Sequence, residues 1–160
     1  MRITVAAIGR LKDGPERELV TRYHERALQT GRALGLSVDL RELTESRARS
    51  AMERKREEAA ALCSLLPDDA YVICLDERGQ HMPSVKFSAL LEKQRDQGVA
   101  SVAVVIGGAD GLGEAISQRA RTVIAFGAMT WPHQLVRVLL LEQIYRAMTI
   151  IQGHPYHREG

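Results

Sequence analysis

The side chains of this 160-residue sequence best suited to acid, base or anion chemistry crowd its carboxyl end. His154, Tyr156, His157 and Arg158 fall within five residues, stiffened by Pro155 and preceded directly by Gly153. An imidazole exchanges a proton near neutral pH, a phenol can relay one, and a guanidinium holds phosphate or a developing oxyanion. Tyrosine and arginine also stack on bases and contact phosphates. A frayed polar terminus is the plain alternative. The His-x-x-His spacing does not make a metal site by itself, because no cysteine or carboxylate cluster accompanies it, and no metal is expected.

Three further stretches follow short β-branched runs and so fall at the ends of strands. The first is Gly107-Gly108-Ala109-Asp110-Gly111-Leu112-Gly113, whose glycines permit positive φ and close backbone approach to a ligand. It has neither the Lys-Ser/Thr of a phosphate-binding P-loop nor the dinucleotide glycine spacing, so a bare turn and a ligand site both stay open. The second is Leu75-Asp76-Glu77-Arg78-Gly79, where two carboxylates offer general bases, although neighbours in an extended segment point apart and a solvated turn is the commoner outcome. The third is Phe126-Gly127-Ala128-Met129-Thr130-Trp131-Pro132-His133, in which Thr130 suits a helix cap and Pro132 the first helical turn.

To bring these stretches together the chain must alternate strands and helices. Strand-like runs cover 3–8, 37–43, 71–75, 101–106 and 122–126, and helical spacing covers 15–34, 45–66, 84–97, 113–119 and 132–151. Such alternation predicts an α/β fold, a mostly parallel sheet with helices on both faces, whose strand ends converge on one edge. Residues 52–58 (MERKREE) read as a solvated helix face. The last helix is apolar all round, with Arg137, Glu142, Gln143, Arg146 and Thr149 as its polar exceptions. A helix apolar on every side must be buried on every side, and a chain this short has few elements to cover it, so a homodimer through this helix is expected. Arg146 lies four residues after Glu142 and reads first as an internal ion pair, second as a contact to RNA or cofactor. His133, four before Arg137, shares its face and is placed to hold the loop.

Composition sets the bounds. With 45% hydrophobic and 26% charged residues the chain, 1–160, reads as a single globular domain. A net charge of +2, evenly spread, excludes a polybasic binder that holds naked nucleic acid by counterion release. Cys63 and Cys74 form neither a disulfide framework nor a zinc set, and suit a reducing cytosol. No run approaches the roughly 20 apolar residues of a membrane helix, so no membrane association and a cytoplasmic location are expected.

Residues 71–79 (YVICLDERG), 106–113 (IGGADGLG) and 129–158 (MTWPHQLVRVLLLEQIYRAMTIIQGHPYHR) resemble the ribosomal RNA large subunit methyltransferase H family of the SPOUT superfamily, and the resemblance spans essentially the whole chain. It implies a carboxyl-terminal trefoil knot, an exception to the rule against threaded chains. It also implies a homodimer, S-adenosylmethionine as methyl donor, and methylation at N3 of a pseudouridine in 23S rRNA within the large subunit or whole ribosome. By position, the resemblance assigns the cofactor pocket to Leu75, Gly107, Phe126, Gly127, Ala128, Met129, Thr130 and Trp131. Where the family has small polar residues in the third loop, Gly127 and Ala128 stand here, which would keep backbone hydrogen bonds and lose side-chain ones. Of the tail, His157, or Tyr156 through an ordered chain, is the candidate base, and Arg158 the holder of phosphate or developing charge. The competing readings are a non-catalytic dimeric ribosome-binding module of the same fold, and a flavin or nucleotide protein, which the glycine spacing disfavours.

Overall fold

The computed structural model describes residues 1–158. Its elements run β1 (Arg2–Ile8), α1 (Pro15–Arg32), β2 (Ser37–Leu43), α2 (Ala51–Leu65), β3 (Tyr71–His81), α3 (Ser84–Asp96), β4 (Ser101–Ile106), α4 (Glu114–Arg119), β5 (Ala120–Ala125) and α5 (His133–Ile151). The five strands form one sheet in the order β2-β1-β4-β3-β5, every neighbouring pair parallel. Parallel sheets are covered on both faces, and the period-two alternation of the strands serves both layers. Ile3, Val5 and Ala7 of β1, with Val102, Val104 and Ile106 of β4, pack against α1, α3 and α5. Ala6, Ile8, Ala103 and Val105 face the other way, onto α2 and α4. The α/β class expected from the alternation is therefore observed.

Several boundaries moved. Helix α2 starts at Ala51, not at 45, because the Ser50 hydroxyl accepts from the Glu53 amide and so caps the helix there. Strand β3 runs on to His81 with a register shift, and both Leu75 and Gln80 pair with Ile124 of β5. The 52–58 stretch is not a uniformly solvated face: Met52 is exposed, yet Glu58 is buried and Arg54 is paired.

Within a single chain α5 is buried on one side only. Leu140, Leu141, Ile144, Ala147 and Met148 lie in the core against α1 and α3, whereas Leu135 and Leu139 remain 38% and 37% exposed. Conversely Arg137, read as a polar exception, is only 1% exposed. Its Nη1 donates to Glu42 Oε1 at 2.8 Å and its Nη2 to the Ile8 carbonyl at 2.9 Å. Glu42 also accepts from the Leu11 amide and from Arg17. Burial pulls the Arg137 guanidinium below its usual value, while the Glu42 charge beside it opposes that shift.

Removing one partner of a buried pair leaves the other charge uncompensated, so Arg137→Ala should cost about 3–5 kcal/mol in urea denaturation. Arg2→Ala, which breaks an exposed pair with Asp39 at 3.6 Å, should cost less than about 1 kcal/mol.

Candidate functional site

The carboxyl ends of β3, β4 and β5 lie side by side, and the three loops singled out by their composition meet there around a cavity of about 600 Å³. Leu75, Gly107, Phe126, Gly127, Met129, Thr130 and Trp131 line it; Ala128 belongs to the same loop but is not in the wall. The glycine segment is a folded turn: the Gly111 amide donates to the Gly108 carbonyl at 3.0 Å, and Gly111 takes φ +86°. A Cβ on Gly107 would lie 2.9 Å from the Gly111 carbonyl carbon, so the wall admits no side chain there. Gly79, on the β3 arc, would put a Cβ 2.5 Å from the Ile124 backbone, which is how closely that arc follows the end of β5.

Helix α2 fastens the turn. Arg54 donates from Nε and Nη2 to the two Asp110 oxygens at 2.7 and 3.0 Å, and a Cβ on Gly113 would lie 2.3 Å from the Lys55 carbonyl. The hydrogen bonds from Arg54 hold the Asp110 carboxyl below the usual range. Lys55 itself lines the cavity. The periodicity of α2 gave no sign of this role, because Arg54 and Asp110 meet across 56 residues.

Both acidic candidates in the β3 loop are hydrogen-bonded. Asp76 accepts from the Arg78 amide and side chain at 2.9–3.0 Å, and those bonds hold its carboxyl below the usual value. Glu77 Oε2 accepts from Thr130 Oγ1 at 3.1 Å, which joins two walls of the cavity. Thr130 therefore does not cap α5, whose N-cap is Pro132 with no side-chain bond. Trp131 Nε1 donates to the Phe126 carbonyl at 3.2 Å and closes its loop on itself. His133 lines the cavity and also a second cleft of about 550 Å³, bordered by Arg10, Lys12 and Arg47.

The tail sits elsewhere. Tyr156 Oη donates to Glu142 Oε1 at 3.0 Å, and its ring lies between Tyr145, 4.7 Å away, and the Arg146 guanidinium, 4.8 Å away. Arg146 bonds Glu142 at 2.5 and 3.0 Å, the internal pair expected from their spacing, and its Nη1 approaches His157 Nδ1 at 3.4 Å. Arg158 is exposed. At 1.5 Å per residue, Glu142 lies about 14 Å along α5 from His133 at the cavity rim, and no tail residue lines the cavity. Among the described residues no group of three or more His, Cys, Asp or Glu is placed to hold a metal.

The sequence profile of the family described as "Predicted SPOUT methyltransferase" matches residues 1–157. The chain belongs to the SPOUT methyltransferase family. It is similar along its length to curated proteins named ribosomal RNA large subunit methyltransferase H. Identity is 56% with that of Bradyrhizobium sp. (strain ORS 278), covering 99% of this chain and 98% of the relative. It is 57% with that of Bradyrhizobium sp. (strain BTAi1 / ATCC BAA-1182), over 99% of each, and 54% with that of Rhodopseudomonas palustris (strain BisA53), over 99% of each.

Leu75, Ile106 and Val136 add apolar walls to the cavity beside Gly107 and the 126–131 loop, an arrangement of the kind that small-molecule sites use. The tail offers hydrogen-bonding side chains, but its phenol is not poised as a base near neutral pH. Burial, then the bond to Glu142, pushes Tyr156 from an ordinary value of 10.0 up to about 12. A raised pKa stabilises the protonated, docked phenol fully below pH 10.0, and that contribution is lost as pH rises through about 12. An ultraviolet titration of the tyrosines should accordingly show one late-ionising phenol, absent from Tyr156→Phe.

Proposed function

We propose that this SPOUT methyltransferase uses S-adenosylmethionine to methylate N3 of a pseudouridine in 23S rRNA of the large subunit or whole ribosome. It acts in the cytoplasm, as a homodimer of one-domain chains. Methylation of large-subunit rRNA rests on relatives more than half identical over 99% of the chain. The donor assignment is supported by the glycine-walled cavity at the sheet's carboxyl edge, whose size is in the range of small-molecule sites. When bound, S-adenosylmethionine would supply an electrophilic methyl group on a sulfonium to N3, and the N3 proton would be released to water, leaving the donor as a neutral thioether. This chain's part is to hold the reacting atoms in line and keep charge-stabilising donors near them.

The homodimer is supported by separation within one chain. The cavity lies at the start of α5 and the tail docks from its middle onward, so we infer that a complete site combines the cavity of one subunit with the tail of its partner. Leu135, Leu139, Trp131 and Val85 are exposed along the outer side of α5 and the start of α3, beside an apolar groove of about 570 Å³, and a second copy would cover them. We also infer the trefoil knot of the family, with the chain after β5 threaded behind the 76–79 arc. The pairing of both Leu75 and Gln80 with Ile124 supports that path.

Purified ribosomes lacking the modification, incubated with enzyme and labelled donor, should acquire one methyl on one 23S pseudouridine, mapped by mass spectrometry. Label on protein, or on free 23S hairpins in preference to ribosomes, contradicts the substrate. Ribosome binding with no heat on titration with donor means a non-catalytic module. For the shared site, Gly107→Val and His157→Ala should each be inactive alone. Equal mixing should restore about one quarter of the wild-type rate, because half the dimers are mixed and each holds one intact site.

A further inference from the structure

Glu142 and Arg146 organise the tail more tightly than an ordinary helix-surface pair. Glu142 Oε1 receives Tyr156 Oη and Arg146 Nε, both at 3.0 Å, and Arg146 Nη2 at 2.5 Å, while its Oε2 receives Gln143 Nε2 at 2.8 Å. Clamped in this way across the Tyr156 ring, Arg146 directs Nη1 at His157 Nδ1, 3.4 Å away. A guanidinium has donors only, so a hydrogen bond between these atoms makes Nδ1 the acceptor. The single proton of the neutral imidazole then resides on Nε2. That atom is buried and has no hydrogen-bond partner among the described residues. Buried donors without acceptors are rare because they are costly, so an Nε2–H held this way is ready for an acceptor brought by a ligand.

We propose that Arg146, positioned by Glu142, locks His157 in its Nε2–H tautomer, so that His157 donates a hydrogen bond to a carbonyl oxygen of the target base instead of removing the base's proton. This rests on the reading of the tail as part of the methyl-transfer site. The N3 of a pseudouridine is an imide nitrogen between two carbonyls. When its proton is lost to water, the negative charge spreads onto both oxygens, and a fixed donor at one of them stabilises the anion that attacks the methyl. Glu142 and Arg146 touch neither substrate nor donor in this scheme; they are positioning residues.

Nitrogen-15 NMR of the histidine rings in the full-length protein tests the lock without any substrate. The expected spectrum at neutral pH has His157 protonated at Nε2 and bare at Nδ1, with the Nδ1–H form appearing in Arg146→Ala and Glu142→Ala, and Glu142→Gln closer to wild type. A wild-type ring protonated at Nδ1 overturns the proposal. Turnover on ribosomes tests the donor role. His157→Gln retains a donor near the Nε2 position but is no base, and its rate should fall by less than about tenfold, against about a hundredfold or more for His157→Ala, with donor affinity unchanged in both. Equal losses in the two variants overturn the donor role. The wild-type rate should climb with pH into the alkaline range of an imide N–H, without a rising limb in the histidine range; such a limb, lost in His157→Gln, also overturns it. If wild-type protein transfers no methyl to ribosomes, it is the proposed function that fails, and the ring spectra still decide the tautomer.

Discussion

The buried contact between Arg137 and Glu42 determines where the rest of the molecule can do its work. A guanidinium 1% exposed, bonded to Glu42 on β2 and to the Ile8 carbonyl at the end of β1, ties the first turns of α5 to strands laid down more than 90 residues earlier. Loop 126–132 enters α5 just before that anchor, so the third wall of the cavity is held against the first two. Farther along the same rigid helix, Leu140, Leu141, Ile144 and Met148 seat it in the core and so place Glu142 and Arg146 where the tail docks. A helix of 19 residues thus carries a cavity wall at its first turn and the tail's support from its middle onward.

The two ends rely on different physics. At the cavity the walls are glycine turns too tight for side chains, held in place from outside by a bidentate Arg54–Asp110 clamp and across the walls by a Thr130–Glu77 bond. At the tail the chain works through side chains ordered by one carboxylate and one guanidinium. The two lie apart along α5, and Leu135 and Leu139 stay exposed on that helix. The net charge of +2 is matched locally, where Arg10, Lys12 and Arg47 share a cleft beside the cavity with Asp13, Glu16 and Glu45.

Period-two and helical spacing, which are local properties of the chain, were enough to place ten elements in order, the parallel sheet, and the three strand-end loops that line the cavity. They were also enough for the Glu142–Arg146 pair, because four residues on a helix guarantee the approach. Helix starts were less legible: a cap depends on one hydroxyl, so Ser50 begins α2 six residues late and Thr130 turns to Glu77 instead of capping α5. Tertiary structure alone decided what depends on distant partners. Arg137 stood out as a polar exception whose partner, Glu42, only the fold supplies; Arg54 looked solvated until Asp110 met it; and the Glu142 carboxylate that takes the Tyr156 hydrogen bond is likewise a product of the fold. A charged side chain is read as exposed by its type, but whether it is buried, paired or available to react is settled by groups 14, 56 or 95 residues away, whose approach no local pattern encodes.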